Sequence, residues 1–153
     1  MSKSQVYSLL LKQLEGVLSM ETDPVANMAN MAAVLFSELE NLNWAGFYVR
    51  RGSELILGPF QGKPACVRIK LGKGVCGTAA QTGRTQLVED VHQFAGHIAC
   101  DSASKSEIVI PIFKNGQVWG VLDIDSPILA RFDVEDQTSL EQAVEIFTAH
   151  TSL

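Results

Sequence analysis

The sequence predicts an α+β fold built on a central antiparallel sheet. Apolar residues recur at helical spacing at both ends of the chain. Between them the period switches to two, and the strand-like runs are joined by turn-sized links, the signature of a meander. With 153 residues, 46% of them hydrophobic and 19% charged, the chain can bury one core without staples and has an ordinary globular composition. A formal charge of −5 and twelve scattered Lys and Arg residues argue against a nucleic-acid partner. No apolar run is long enough to span a membrane. Met1-Ser2-Lys3-Ser4-Gln5 opens an amphipathic pattern, not the hydrophobic block of a signal peptide. Three cysteines, an odd number without a secretion signal, predict a reducing, cytoplasmic setting and functional thiols.

The first helix follows from Tyr7, Leu10, Leu11, Leu14, Val17 and Leu18. A second starts at Asp23-Pro24, a cap followed by proline in the first turn, with the inward stripe Val25, Met28, Ala32, Leu35, Phe36 and Leu39. Met28 and Met31 read as core gap-fillers, not metal ligands. From Trp44 to Val49 a strand sets Trp44, Gly46 and Tyr48 on one face and Ala45, Phe47 and Val49 on the other. Arg51-Gly52-Ser53 turns into a strand from Glu54 to Leu57, which the Gly58–Gly62 segment leaves, and Cys66–Ile69 reads as a third. Gly72–Gly83 reads as a tight approach to a short helix that Gly83 ends. It lacks the Gly-Lys-Ser/Thr ending of a phosphate loop. Thr85–Val88 is a short strand, and Asp133 caps a final helix that turns Leu140, Val144 and Phe147 inward.

The most informative chemistry surrounds the polar loop His97–Glu107, which carries Cys100 and feeds the strand Glu107–Phe113. A rigid strand behind a small-residue loop can hold a reactive thiol while leaving it accessible. The next strand runs from Gln117 to Asp125. An Asn115-Gly116 turn of two residues places Asp123 opposite Ile108, on an apolar face. A three-residue loop instead pairs Phe113 with Gln117, stacks Ile112 with Val118, and sets Glu107 opposite Asp123 with Asp125 two residues along. Burial selects the second register. Three carboxylates bordered by Val109, Val121 and Trp119 repel one another, so they call for a cation, such as an ammonium group, or for a retained proton. His97, three residues before Cys100, is placed either to lower its pKa or simply in a solvated loop; His92 and His150 read as solvated.

Asn43-Trp44-Ala45-Gly46-Phe47-Tyr48, Leu57–Gly62, Gly72–Gly77, Ser106–Val109 and Gly120–Ser126, together with Cys66, Cys76 and Cys100, resemble the free methionine-(R)-sulfoxide reductases, a family of stand-alone GAF domains. The resemblance covers nearly the whole chain and implies a single catalytic domain over residues 1–153. It further implies a GAF-like six-stranded sheet, with the N- and C-terminal helices on one face and the active-site loop on the other. It also implies thiol-dependent reduction of free L-methionine-(R)-sulfoxide to methionine. In that scheme Cys100 attacks sulfur and becomes a sulfenic acid, Cys66 resolves it as a disulfide, and a thioredoxin-type dithiol recycles the pair. Cys76 is left either lining the pocket or serving as an alternate resolver. Trp44 and Tyr48 match an aromatic wall for the S-methyl group, and Glu107, Asp123 and Asp125 match substrate-binding positions. No cofactor or metal is implied, and the apolar surface of the first helices is compatible with a homodimer.

Two other classes compete. A ligand-binding GAF sensor shares the fold without turnover. A zinc protein would draw on Cys66, Cys76, Cys100 and His97, whose spacings lack the close ligand pairs of structural zinc sites.

Overall fold

Capping chemistry sets the helix starts. Ser2 and Gln5 form a capping box at α1 (Lys3–Leu18), and the Asp23 carboxylate accepts from the Ala26 N–H at α2 (Pro24–Glu38). The remaining elements of this computed structural model, which describes residues 1–97 and 101–153, are β1 (Trp44–Arg51), β2 (Glu54–Gly62), β3 (Arg68–Lys70), α3 (Gly74–Thr82), β4 (Gln86–Val88), β5 (Ser106–Lys114), β6 (Gln117–Ser126) and α4 (Val134–His150). Ile98, Ala99 and the predicted nucleophile Cys100 lie outside the described residues. No helix among the described residues is long and apolar enough to cross a membrane.

The six strands form one antiparallel sheet in the order β3-β2-β1-β6-β5-β4. Alternation along β1 divides the interior as predicted. Ala45, Phe47 and Val49 join the core under α1, α2 and α4, where Phe47 meets Phe147 at 5.3 Å. Trp44 and Tyr48 join the opposite core, which α3 covers with Val75, Cys76 and Ala79. Gly83 ends α3 in the left-handed conformation at φ 68°.

Four expectations need correction. β2 does not end at Leu57 but runs to Gly62. Pro59 is tolerated because β1 and β2 shift register between Gly46 and Tyr48, so no ladder N–H is demanded of it. The third strand is only Arg68–Lys70, leaving Cys66 in the preceding loop. Val25 points outward at 62% exposure, and Met31 is wholly buried in the stripe instead.

The fourth correction concerns the β5–β6 hairpin. Its turn is the two-residue Asn115-Gly116, with φ of 52° and 77°, and Lys114 pairs with Gln117. A shift between Ile112 and Phe113 then leaves Trp119 unpaired and restores the other phase, so Val109 opposes Asp123 and Glu107 opposes Asp125. The extra residue also swings Trp119 to the helix side, 6.2 Å from Phe147, and puts Val118 on the pocket side. The three carboxylates therefore share the predicted face with different partners.

Candidate functional site

The ladder brings the predicted side chains together before any loop is considered. Across β1 and β6, Trp44 opposes Asp125 and Gly46 opposes Asp123. A Cβ at Gly46 would stand 2.3 Å from the Phe60 Cβ, so glycine lets β2 close in and Phe60 stack on Trp44 at 5.1 Å. Tyr48 stacks on Trp44 at 6.0 Å, and the indole N–H donates to the Lys63 carbonyl at 3.0 Å. The result is a rigid aromatic wall.

Trp44, Tyr48, Cys76, Glu107, Asp123 and Asp125 all line one cavity of about 50 Å³. Cys76 is carried in by the first turn of α3, and its thiol donates to Glu107 Oε2 at 4.0 Å. Glu107 and Asp123 are buried, and among the described residues Oδ1 of both Asp123 and Asp125 has no hydrogen-bond partner. A solvated acidic edge is thereby excluded; orphaned buried carboxylate oxygens mark a place where a cationic or proton-donating group belongs.

Burial, reinforced by the Asp123 and Asp125 charges, pushes the Glu107 carboxyl well above its usual range. Burial and the Asp123 charge do the same to Asp125. Burial also raises Asp123, but hydrogen bonds from Glu107, Cys76 and Asp125 oppose the rise. Asp123 is thus the member of the trio that ionises first, while its neighbours retain protons. The Cys76 thiol is raised by burial and by the same carboxylates, which keeps it a thiol.

A stability prediction follows from Glu107. Its folded pKa lies above its unfolded one, so the folded chain holds a proton that the unfolded chain has lost. That contribution is complete below the ordinary value of 4.5 and is lost as pH rises through the folded value. Chemical denaturation of the reduced, ligand-free chain is therefore expected to show stability falling as pH rises above the ordinary carboxyl range, with a shallower fall in Glu107→Gln. Equal slopes for the two proteins would show that Glu107 is not held protonated.

Around this centre lie residues the sequence reading missed: Lys73, Pro64, Ala65, Asp101 and Ser104 also line the cavity. They come from loops and share no periodicity. Asn43, quoted only as part of a motif, ties two of them down by donating to Asp101 Oδ2 at 3.0 Å and Ser104 Oγ at 2.9 Å. The Ala103 N–H holds the Asp101 carboxyl below its usual range. His97 lines the cavity as well, its pKa lowered by partial burial and by His92. Of the predicted sulfur pair, Cys66 is disulfide-bonded, and its carbonyl accepts from the Tyr48 hydroxyl at 2.8 Å. Cys76 is free, and Cys100 lies outside the described residues.

A GAF domain family model matches residues 13–149 of the chain. The free methionine-R-sulfoxide reductase of Escherichia coli (strain K12) is 50% identical over 144 residues, covering 94% of this chain and 87% of the bacterial protein. The reduced form of fRMsr of Staphylococcus aureus superposes with a TM-score of 0.92 at 56% identity, covering 94% of each chain. The free methionine-R-sulfoxide reductase of Neisseria meningitidis, solved in complex with its substrate, superposes with a TM-score of 0.95 at 46% identity, covering 98% of this chain and 90% of that one.

Proposed function

The chain belongs to the GAF domain family and, within it, to the free methionine-R-sulfoxide reductases, and from that premise we propose that it reduces free methionine-(R)-sulfoxide to methionine at the carboxylate-lined cavity. The observation that carries the proposal is the carboxylate trio, with Asp123 and Asp125 oxygens that lack a hydrogen-bond partner among the described residues, beside an aromatic wall. A free amino acid supplies the missing cation in its α-ammonium group. A peptide-bound residue has no such group to offer.

In this scheme Asp123, the readiest of the three to ionise, grips the ammonium group, and Trp44 and Tyr48 pack the S-methyl. Glu107 and Asp125, held protonated by burial, are the acids available to the sulfoxide oxygen. The Cys100 thiolate attacks sulfur, the S–O bond breaks, and the oxygen ends on Cys100 as a sulfenic acid while methionine leaves as the thioether. The Cys66 thiol then condenses with the sulfenic acid, expelling water and closing a disulfide that a thioredoxin-type dithiol reduces by exchange. The disulfide-bonded state of Cys66 beside a free Cys76 supports Cys66 as the resolving thiol. We read residues 1–153 as one catalytic unit acting in the cytoplasm, pairing as a homodimer through exposed apolar positions of the first helices such as Leu9 and Val25.

The deciding experiment is methionine release from the free R and S epimers, with a thioredoxin system as electron source. Sustained release from the R epimer alone is expected. If the fully reduced chain releases methionine from neither epimer, the enzyme assignment fails and a redox-responsive ligand-binding domain takes its place.

A further inference from the structure

We propose that Cys76, Glu107 and Asp123 form a binding site for a borderline-soft divalent cation of the Zn²⁺ type, an inhibitory ligand of the pocket and not a cofactor. The zinc set weighed from sequence, Cys66, Cys76, Cys100 and His97, shares only one residue with it. One sulfur and two carboxylate oxygens from these three residues lie within 4.8 Å of one another, and all three residues are buried. Ligands around tetrahedral zinc, at roughly 2.0–2.3 Å from the metal, are separated by a little over 3 Å, so the donors must draw together by up to about 1.5 Å as the ion enters.

Three observations point to an ion here. Asp123 is 5% exposed and lines the cavity, and its Oδ1 has no hydrogen-bond partner among the described residues. The cavity of about 50 Å³ has room for an ion together with bound water. A thiol among the donors selects zinc-like cations over Mg²⁺ and Ca²⁺, which take oxygen ligands. Binding replaces the Cys76 thiol proton and the proton retained among the carboxylates with the metal, so protons leave as the ion enters. The ion then occupies the place of an ammonium group at Asp123.

The test is a Co²⁺ titration followed by absorption. It uses the chain carrying Cys66→Ser and Cys100→Ser, whose remaining thiol is Cys76, with near-ultraviolet dichroism as the folding control. A saturable thiolate-to-cobalt band is expected that Zn²⁺ displaces, that weakens at least tenfold in apparent affinity with Asp123→Asn, and that vanishes with Cys76→Ser. A folded chain without the band, or a band that survives Cys76→Ser, overturns the site. If the two-serine chain does not fold, the fully reduced chain and its Cys76→Ser variant are titrated instead, and an identical sulfur band in both overturns the site equally. No turnover enters the readout, so failure of the reductase assignment leaves the result interpretable.

Discussion

Cys100→Ser is expected to release no methionine above background, a loss of more than about 10³-fold, as follows from removing a covalent nucleophile. Cys66→Ser is expected to release about one equivalent per chain from methionine-(R)-sulfoxide and then stop in the presence of thioredoxin. The difference follows from the order of the two steps. Attack on sulfur needs a thiolate, and a serine hydroxyl is too weak an acid to replace it. Resolution needs a second thiol only after methionine has already left. Cys76 does not stand in for Cys100: burial, together with the Asp123 and Glu107 charges, raises its thiol well above the usual range and suppresses the thiolate. Rapid-quench counting of methionine per chain separates the two variants. Multiple turnovers by Cys100→Ser would remove Cys100 from the nucleophile's role. Sustained thioredoxin-driven turnover by Cys66→Ser would transfer resolution to another thiol, with Cys76 the remaining one in the sequence.

The parts of the fold that were legible in the sequence are those governed by local chemistry. Asp23, Gly83 and Asp133 act through their own backbone neighbours, and each marks its helix end as expected. Strand faces were legible wherever alternation was clean, as from Trp44 to Val49. The hairpin was legible only in part. Burial dictated that Glu107, Asp123 and Asp125 share a face, but it does not say how the chain achieves this. A longer turn and a bulge each add one residue, and the structure chose the bulge, at Trp119. The wide aromatic ring gained a place against Phe147 by that choice, a long-range contact that no local pattern announces. The site divides the same way. Side chains fixed by the sheet, from Trp44 to Asp125, were found, whereas Lys73, Asp101 and Ser104 reach the cavity through loops whose paths depend on tertiary contacts such as those of Asn43.

The helix side of the sheet carries the other large expected effect. Asp136→Ala should destabilise the chain by about 3–5 kcal/mol, the range for breaking a buried ion pair by removing one partner. Asp136 is fully buried at the third position of α4, and every part of its carboxylate is engaged. Oδ1 accepts from the Tyr7 hydroxyl at 2.7 Å and from the Arg131 guanidinium at 3.3 Å. Oδ2 accepts from Lys3 Nζ at 2.7 Å and from the Asp133 N–H at 2.8 Å. One side chain therefore closes the capping box of α4 and ties that helix to α1, although the two are more than 100 residues apart in sequence. Truncation to alanine strands the nearly buried Arg131 charge and the Tyr7 hydroxyl together. Tyr7→Phe, which removes one donor and leaves the ion pairs, should cost only about 1 kcal/mol. For a chain of this length the larger loss corresponds to a melting temperature lower by roughly 10 °C. The cluster lies across the sheet from the cavity, so kcat/KM measured well below the melting transition should not change. Thermal melts of the two single variants and their combination supply the check: their effects should fall short of additive, because both act on one network. A melting temperature for Asp136→Ala within about 2 °C of the parent would mean that the cluster contributes less than 1 kcal/mol and that apolar packing alone holds α1 against α4.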